Sequence, residues 1–441
     1  MKIVDILIKN GLIVTVDKHL KIIENGAIAI NDGSIIDIDL TKVIEQKYDS
    51  DKIINATSKI VMPGFINAHT HAGMTYFRGL ADDLSLDKWL NDYIWPSEAK
   101  FLSEEFIYNS VLHSAAEMVK NGIVLFNDMY FFGKQCGEAA SKVGMRAIIG
   151  EVVLDFPVAN CTNPKQIIDY SAKQHKEFEN NELIDYAIAP HSIYACCKET
   201  LKLSAKTARK NNMLLHIHIS ETEKEVENCI KQNGKPPIEY LQDIGFLGED
   251  NIGAHGIWVS DNEMKLLCEK GVSISITTES DLKLASGFAP MKRYLENGIN
   301  VCLGTDGVAS NNNLSILEEM DFTAKLHKAY NQDPTFLPAI EVVKMGTINS
   351  AKAFKKDSEI GSLKISKKAD IILIDKNQLD TVPMYNVYSH LVYTISSEHV
   401  KDVIINGKIV MENRELVNVD EDELIDRAKF YRKKILKDFG H

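Results

Sequence analysis

The chain has no C-x-x-C pair, no long basic block, no internal repeat, no low-complexity linker, and no apolar stretch near the ~20 residues of a membrane span. Each absence removes a class of protein. Seven cysteines (Cys136, Cys161, Cys196, Cys197, Cys229, Cys268, Cys302) scattered through 441 residues do not make a disulfide framework and suit buried thiols in a reducing compartment. Nucleic-acid binding needs a local excess of Lys and Arg; with 50 of these against 62 Asp and Glu, and a net charge of -12, small-molecule chemistry is expected instead. The N-terminal MKIVDILIKNGLIVTVD alternates apolar with polar residues and lacks a signal peptide's apolar core and small-residue cleavage site. The cytoplasm is the expected address, with no membrane partner.

What is present reads as a folded chain of two structural units. Single cores stop growing near ~250 to 300 residues, and a hydrophobic fraction of 45% with 25% charged residues leaves no room for a disordered assignment. Residues 3 to 61 read as short strands at 3–8, 12–16, 26–30, 34–38 and 59–62, with hairpin turns expected at Asn10-Gly11 and Asn31-Asp32-Gly33. Apolar strands then alternate with helical stretches: strands at 65–68, 123–128, 146–153, 184–189, 213–219, 252–254, 272–277 and 301–304, helices at 104–120, 164–178 and 198–211. Eight such strands predict a (β/α)8 barrel, with a doubly wound open sheet as the alternative. The tail returns to strands at 370–374, 390–394 and 400–411, the last with an Asn406-Gly407 turn. The expected division is a β-sandwich domain from 1–62 and 360–420, a barrel over 63–359 and a C-terminal helix over 421–441.

The stretch PGFINAHTH, ending in His69 and His71, organises the chemistry. On a strand, side chains repeat with a period of two, so these imidazoles share a face and can bind one ion. His191 follows the fourth strand, His216 and His218 lie on the fifth, His255 follows the sixth and Asp306 the eighth. All occupy C-terminal strand ends, where barrel enzymes carry their active sites. Three neutral imidazoles with one carboxylate suit Zn²⁺, with Fe²⁺ or Mn²⁺ as other occupants. The fourth strand has no lysine to carboxylate as a bridge, so one divalent ion is expected rather than two. His113, His175 and His327 fall on helical stretches and read as structural, Cys196-Cys197 as core, and Trp89 and Trp95 as either purine-pocket walls or ordinary packing.

The ordered segments PGFINAHTHAGMTYFRGLADDLSLDKWL, APHSIY, HIHISETEKEV, AHGIWV, LKLASGFAP and LGTDGVASNNNLSILEEM resemble the amidohydrolase superfamily over nearly the whole chain. Within it they are most similar to the 5-methylthioadenosine/S-adenosylhomocysteine deaminase branch. The resemblance implies metal ligands at His69, His71, His218 and Asp306, with His216 a packed neighbour. It implies proton transfer by Glu221, His255 and Asp306, and substrate contacts at Glu98, His191 and Glu221. The implied reaction is hydrolytic deamination of an adenosine-type nucleoside to the inosine product and ammonia, by an enzyme expected to form a homo-oligomer. Other hydrolases of the superfamily, such as guanine or triazine deaminases and chlorohydrolases, are the alternative, and a catalytically silent scaffold a remote one.

Two departures from the branch pattern stand out. Ile276, Thr278 and Asp281 occupy positions where His, Pro and Asn are usual, and Glu151 sits near where homocysteine-binding relatives carry an Arg. A carboxylate at Glu151 would repel an amino-acid carboxylate. The expectation is a preference for uncharged or plain nucleosides (5'-methylthioadenosine, 5'-deoxyadenosine, adenosine), with Glu151 at the ribose hydroxyls or in the 5' pocket.

Overall fold

A computed structural model of the chain describes residues 1–161 and 163–438. Eight strands form one sheet in strict sequence order: Phe65–Thr70, Ile123–Tyr130, Arg146–Val153, Ile184–Pro190, Leu215–Ile219, Asn251–His255, Ser273–Ile276 and Val301–Leu303. Neighbours from the third to the eighth pair in parallel, and the sheet is the (β/α)8 barrel expected from the alternation of strands and helices. Beyond the last strand the backbone returns to the first: Asp306 N–H donates to the His69 carbonyl at 3.0 Å, and Asn67 bridges to Thr305 at 2.7 and 3.0 Å. Gly304 makes this seam possible, since a Cβ there would stand 2.7 Å from the His69 nitrogen.

The helices between the strands begin where side chains can satisfy their first N–H groups. Asn163 caps Pro164–Glu177, Thr222 caps Glu223–Asn233, and Ser260 with Glu263 forms a reciprocal capping box on Asp261–Lys270.

The chain divides into two compact units, one built from Met1–Ile66, Ala116–Leu125 and Ser315–Val419, the other from Asn67–Ala115, Phe126–Leu314 and the chain from Asp420. In the first, a second sheet joins both ends of the sequence, as the β-sandwich expectation requires. Lys59–Pro63 is its hinge point: it pairs in parallel with Ile6–Val14 on one side and antiparallel with Ile371–Asp375 on the other. One face of this sheet gathers Ile8, Ile28, Val61, Ile371 and Ile404 into a buried aliphatic cluster.

Two hairpin expectations hold. Asp32-Gly33 and Asn406-Gly407 both take positive φ at both residues, the geometry of a two-residue turn between right-twisted strands. One hairpin turn and one strand are corrected. Asn10-Gly11 lies inside the continuous strand Ile6–Val14, where Asn10 (φ 65°) makes a bulge and the pairing register shifts. Residues 390–393 of the expected strand 390–394 fall in a helix, Val387–Tyr393, begun by Asn386 accepting the Ser389 N–H. A helix at Thr41–Lys47 and a three-residue strand at Ile53–Asn55 were not expected.

Candidate active site

The first barrel strand delivers His69 and leaves His71 one residue past its end. His71 Nδ1 lies 2.6 Å from the Met129 carbonyl and His218 Nδ1 2.9 Å from the His191 carbonyl. A carbonyl only accepts, so both rings carry their proton on Nδ1 and turn an Nε2 lone pair inward. These two Nε2 atoms face each other at 3.3 Å. Asp306 Oδ1 is 3.1 Å from His71 Nε2 and 3.3 Å from His69 Nε2. Its other oxygen accepts hydroxyls from Ser280 at 2.6 Å and Ser310 at 2.9 Å, which turns Oδ1 toward the imidazoles. His69 Nε2 is fully buried and, its approach to Asp306 Oδ1 aside, has no hydrogen-bond partner among the described residues.

Inward lone pairs, one carboxylate oxygen and an orphaned buried nitrogen form a donor set that fits a divalent cation. The ligand atoms of His69, His71 and Asp306 lie within 4.8 Å of one another, as do those of His69, His218 and His255. His216 stands behind the cluster: its Nε2 is 2.9 Å from His69 Nδ1 and its Nδ1 is 3.1 Å from Asn127 Nδ2. It therefore orients His69 and leaves the inward face to His218.

Burial sets the charge state of these groups. It drives His69 down to about 4 and His191 to about 3, and His216 and His218 well below the usual imidazole value, so all four are neutral at pH 7. His71 is raised, because the hydrogen bond and charge of Asp306 outweigh its burial. Asp306 is held well below the carboxylate range by His69 and His71 despite its own burial.

His255 ends the sixth strand with φ 70°, and its ring bridges two carboxylates. Nδ1 is 2.9 Å from Asp281 Oδ1, and Nε2 is 3.8 Å from Glu221 Oε2. Burial opposes a charge on this ring, yet Glu221 and Asp281 together raise it to about 10. Burial in turn raises Glu221. The backbone at Glu221 is fixed by Glu225, whose carboxylate accepts the Glu221 N–H at 2.8 Å and the Ser220 N–H at 3.2 Å.

A pocket opens over this cluster. His71, His191, His218, Glu221, His255 and Asp306 form its polar floor. Trp89, Leu90, Ile94 and Trp95, from consecutive helical turns at 86–101, form one wall with Phe131 and Leu154. Glu98 reaches the pocket from the helix Trp95–Phe101; the Tyr130 hydroxyl donates to it at 2.7 Å, and burial lifts its carboxyl to about 7. Among the described residues, no lysine or arginine lines the pocket.

Glu151 is not brought to this pocket, a correction to its expected place at the ribose. Along its strand Val152 and Leu154 face the pocket, while the carboxylate of Glu151 takes N–H groups from Phe132, Gly133 and Asn160 beside a separate cavity. There it caps the helix Gly133–Val143. Glu225 and Tyr130 were missed from sequence, and Asp281 was noted only as a departure from the branch pattern. Glu225 carried a local signal, the T-x-x-E spacing from Thr222 that marks a capping box.

A (β/α)8 barrel with an imidazole–carboxylate cluster at its strand tips defines a metal-dependent hydrolase. The amidohydrolase family profile matches residues 60–410, and the chain belongs to that family. It is 43% identical over 434 residues to a 5-methylthioadenosine/S-adenosylhomocysteine deaminase of Thermodesulfovibrio yellowstonii, covering 97% of this chain and 98% of the relative. It is 42% identical to a 5'-deoxyadenosine deaminase of Methanosphaera stadtmanae, over 96% and 97% of the two chains. Among solved structures, a zinc-bound adenosine deaminase from Xanthomonas campestris superposes with a TM-score of 0.97 at 33% identity, over 99% of both chains.

Proposed function

We propose that the protein is a zinc-dependent aminohydrolase that converts adenosine, 5'-deoxyadenosine and 5'-methylthioadenosine to the inosine-type product and ammonia. His69, His71, His218 and Asp306 would hold the ion, which when bound supplies a water acidic enough to ionise near neutral pH. Asp306, whose Oδ1 faces His69 and His71 Nε2, would be the base that accepts a proton from the attacking water at C6 of the purine. Glu221, at the pocket floor, carries a proton to N1, so that no negative charge builds on the ring. His255, held between Glu221 and Asp281, donates a hydrogen bond to the oxygen arriving at C6. The proton that Asp306 received then passes to the departing amino group, the C6–N bond breaks and ammonia is released. His191 and the Glu98–Tyr130 pair contact the nucleoside, and Trp89 and Trp95 offer aromatic faces to it.

The absence of lysine and arginine among the described residues of the pocket lining carries the choice of substrate. An amino-acid carboxylate buried there would lose its hydration with no cation to meet it. Neutral 5' groups meet an apolar wall instead. Ammonia release from the zinc-loaded protein, compared across 5'-deoxyadenosine, 5'-methylthioadenosine, adenosine and S-adenosylhomocysteine, tests the reading. The neutral nucleosides are expected to exceed S-adenosylhomocysteine in kcat/KM by about a hundredfold; a preference for S-adenosylhomocysteine overturns the substrate choice, and no release from any of the four overturns the activity.

A further inference from the structure

The short helix Thr278–Lys283 follows the seventh barrel strand and turns two consecutive side chains to two different groups of the cluster. Ser280 donates to Asp306 Oδ2 at 2.6 Å, while Asp281 Oδ1 lies 2.9 Å from His255 Nδ1. Thr277, the residue before the helix, closes a triangle: its hydroxyl is 3.0 Å from His255 Nδ1 and 3.2 Å from Asp281 Oδ1. Asp281 is 3% exposed and His255 2% exposed. A carboxylate is not buried at a protein's centre without a partner, and this one is directed at the ring nitrogen remote from the pocket.

An imidazole can rotate about χ2, or present either nitrogen, unless one nitrogen is tied. His255 has particular need of a tie. Its backbone sits at φ 70°, an uncommon conformation that persists where the surroundings hold it. Glu221 Oε2, on the Nε2 side, is 3.8 Å away and too far to hold the ring alone.

We propose that Asp281 is a positioning residue: by accepting the Nδ1 proton of His255 it fixes the ring so that Nε2, and not Nδ1, is the edge presented to the reacting oxygen of the substrate. This rests on the role given to His255 above, but the pairing itself is a property of the protein without substrate. Any side chain of similar size that keeps an acceptor oxygen at this position does the same work. One that lacks the oxygen leaves Nδ1 only the Thr277 hydroxyl, itself no longer held by Asp281, and loosens the ring. Substrate affinity is little affected, because the contact that depends on the ring's orientation strengthens as the oxygen acquires charge.

The test compares Asp281→Asn with Asp281→Leu in the zinc-loaded enzyme, with thermal melts and metal content recorded for each. Asp281→Leu is expected to lower kcat about 10- to 100-fold with KM within about twofold, and Asp281→Asn to restore most of that loss. A second readout needs no turnover. The parent is expected to show a downfield, slowly exchanging ring N–H proton resonance that disappears in His255→Gln and in Asp281→Leu and persists in Asp281→Asn. Kcat within twofold of the parent in Asp281→Leu overturns the proposal, as does survival of the resonance in that variant, or equal loss in both variants. If the parent deaminates none of the nucleosides but the resonance follows this pattern, the functional reading fails and the pairing stands. Should Asp281→Leu not fold, Asp281→Asn against Asp281→Ser, whose hydroxyl falls short of Nδ1, provides the same contrast.

Discussion

His69 Nε2 is the most informative atom in the molecule, because a buried ring nitrogen left without a hydrogen-bond partner is a desolvation cost that binding a cation removes. His218→Ala deletes the lone pair 3.3 Å from that of His71. It is expected to cut bound zinc, measured by elemental analysis, to below about a tenth of an equivalent and to lower kcat at least ~1,000-fold; full metal content in that variant would contradict the ligand set. Glu98 makes a different prediction. Burial holds its carboxyl near 7 in the folded protein against an ordinary 4.5. Between those values the unfolded chain has lost the proton and the folded one has kept it, so this contribution to stability is complete below pH 4.5, falls as pH rises toward 7, and is flat beyond. Glu98→Gln should therefore lose up to ~3 kcal/mol less than the parent across that window in denaturant titrations. At this scale the sequence was legible where side-chain chemistry and position agreed: imidazoles at strand tips have few other uses. Glu151 was placed by its nearness to an Arg of related sequences, and the strand Arg146–Val153, buried along its whole length, has no alternation that could say which residues face the pocket. Asp281 was visible as a departure from related sequences, but its partner lies 26 residues away and no local spacing joins them.

Helices position the cluster as much as strands do. Glu225 is the third residue of Glu223–Asn233, yet its carboxylate reaches back past its own cap to the Ser220 and Glu221 N–H groups. Glu225→Ala leaves those donors unsatisfied beside Glu221. The expected result is a kcat loss of about tenfold or more and a stability loss of ~1 to 3 kcal/mol, read by steady-state kinetics beside urea denaturation. An unchanged kcat in a destabilised protein would limit Glu225 to a structural role. Element boundaries followed the sequence wherever local chemistry decides them: the helix at Glu104–Lys120 begins and ends as expected, and both Asp32-Gly33 and Asn406-Gly407 turn the chain. Asn10-Gly11 failed because a left-handed asparagine makes a bulge as readily as a turn, and the choice depends on which strands lie opposite. The residues 390–394 were apolar enough for a strand, but the cap at Asn386 selected a helix.

For the whole molecule, a bound ion and a well-packed sheet are separate sources of stability. Chelation should lower the melting temperature measured by calorimetry by several degrees, since a ligand at a hundredfold its Kd contributes ~2.7 kcal/mol; the melt of His218→Ala should not respond to the chelator. Ile371, fully buried in the sheet that unites the chain ends, should cost ~2 to 5 kcal/mol when replaced by alanine, read as a shifted urea midpoint with zinc content unchanged. The order of elements around the barrel was readable because parallel strands joined by helices allow few other closures. The pairing of the N-terminal and C-terminal strands through Lys59–Pro63 was expected in outline, but its register depends on contacts more than 300 residues apart. One feature of the pocket bears on how such a protein could acquire new substrates. The groups that act on the purine hang from strand tips dispersed across the barrel, whereas Trp89, Leu90, Ile94, Trp95 and Glu98 come from one short run of chain. Transplanting that run from a relative would exchange what is admitted without disturbing what is done to it, so appetite and chemistry can diverge independently here.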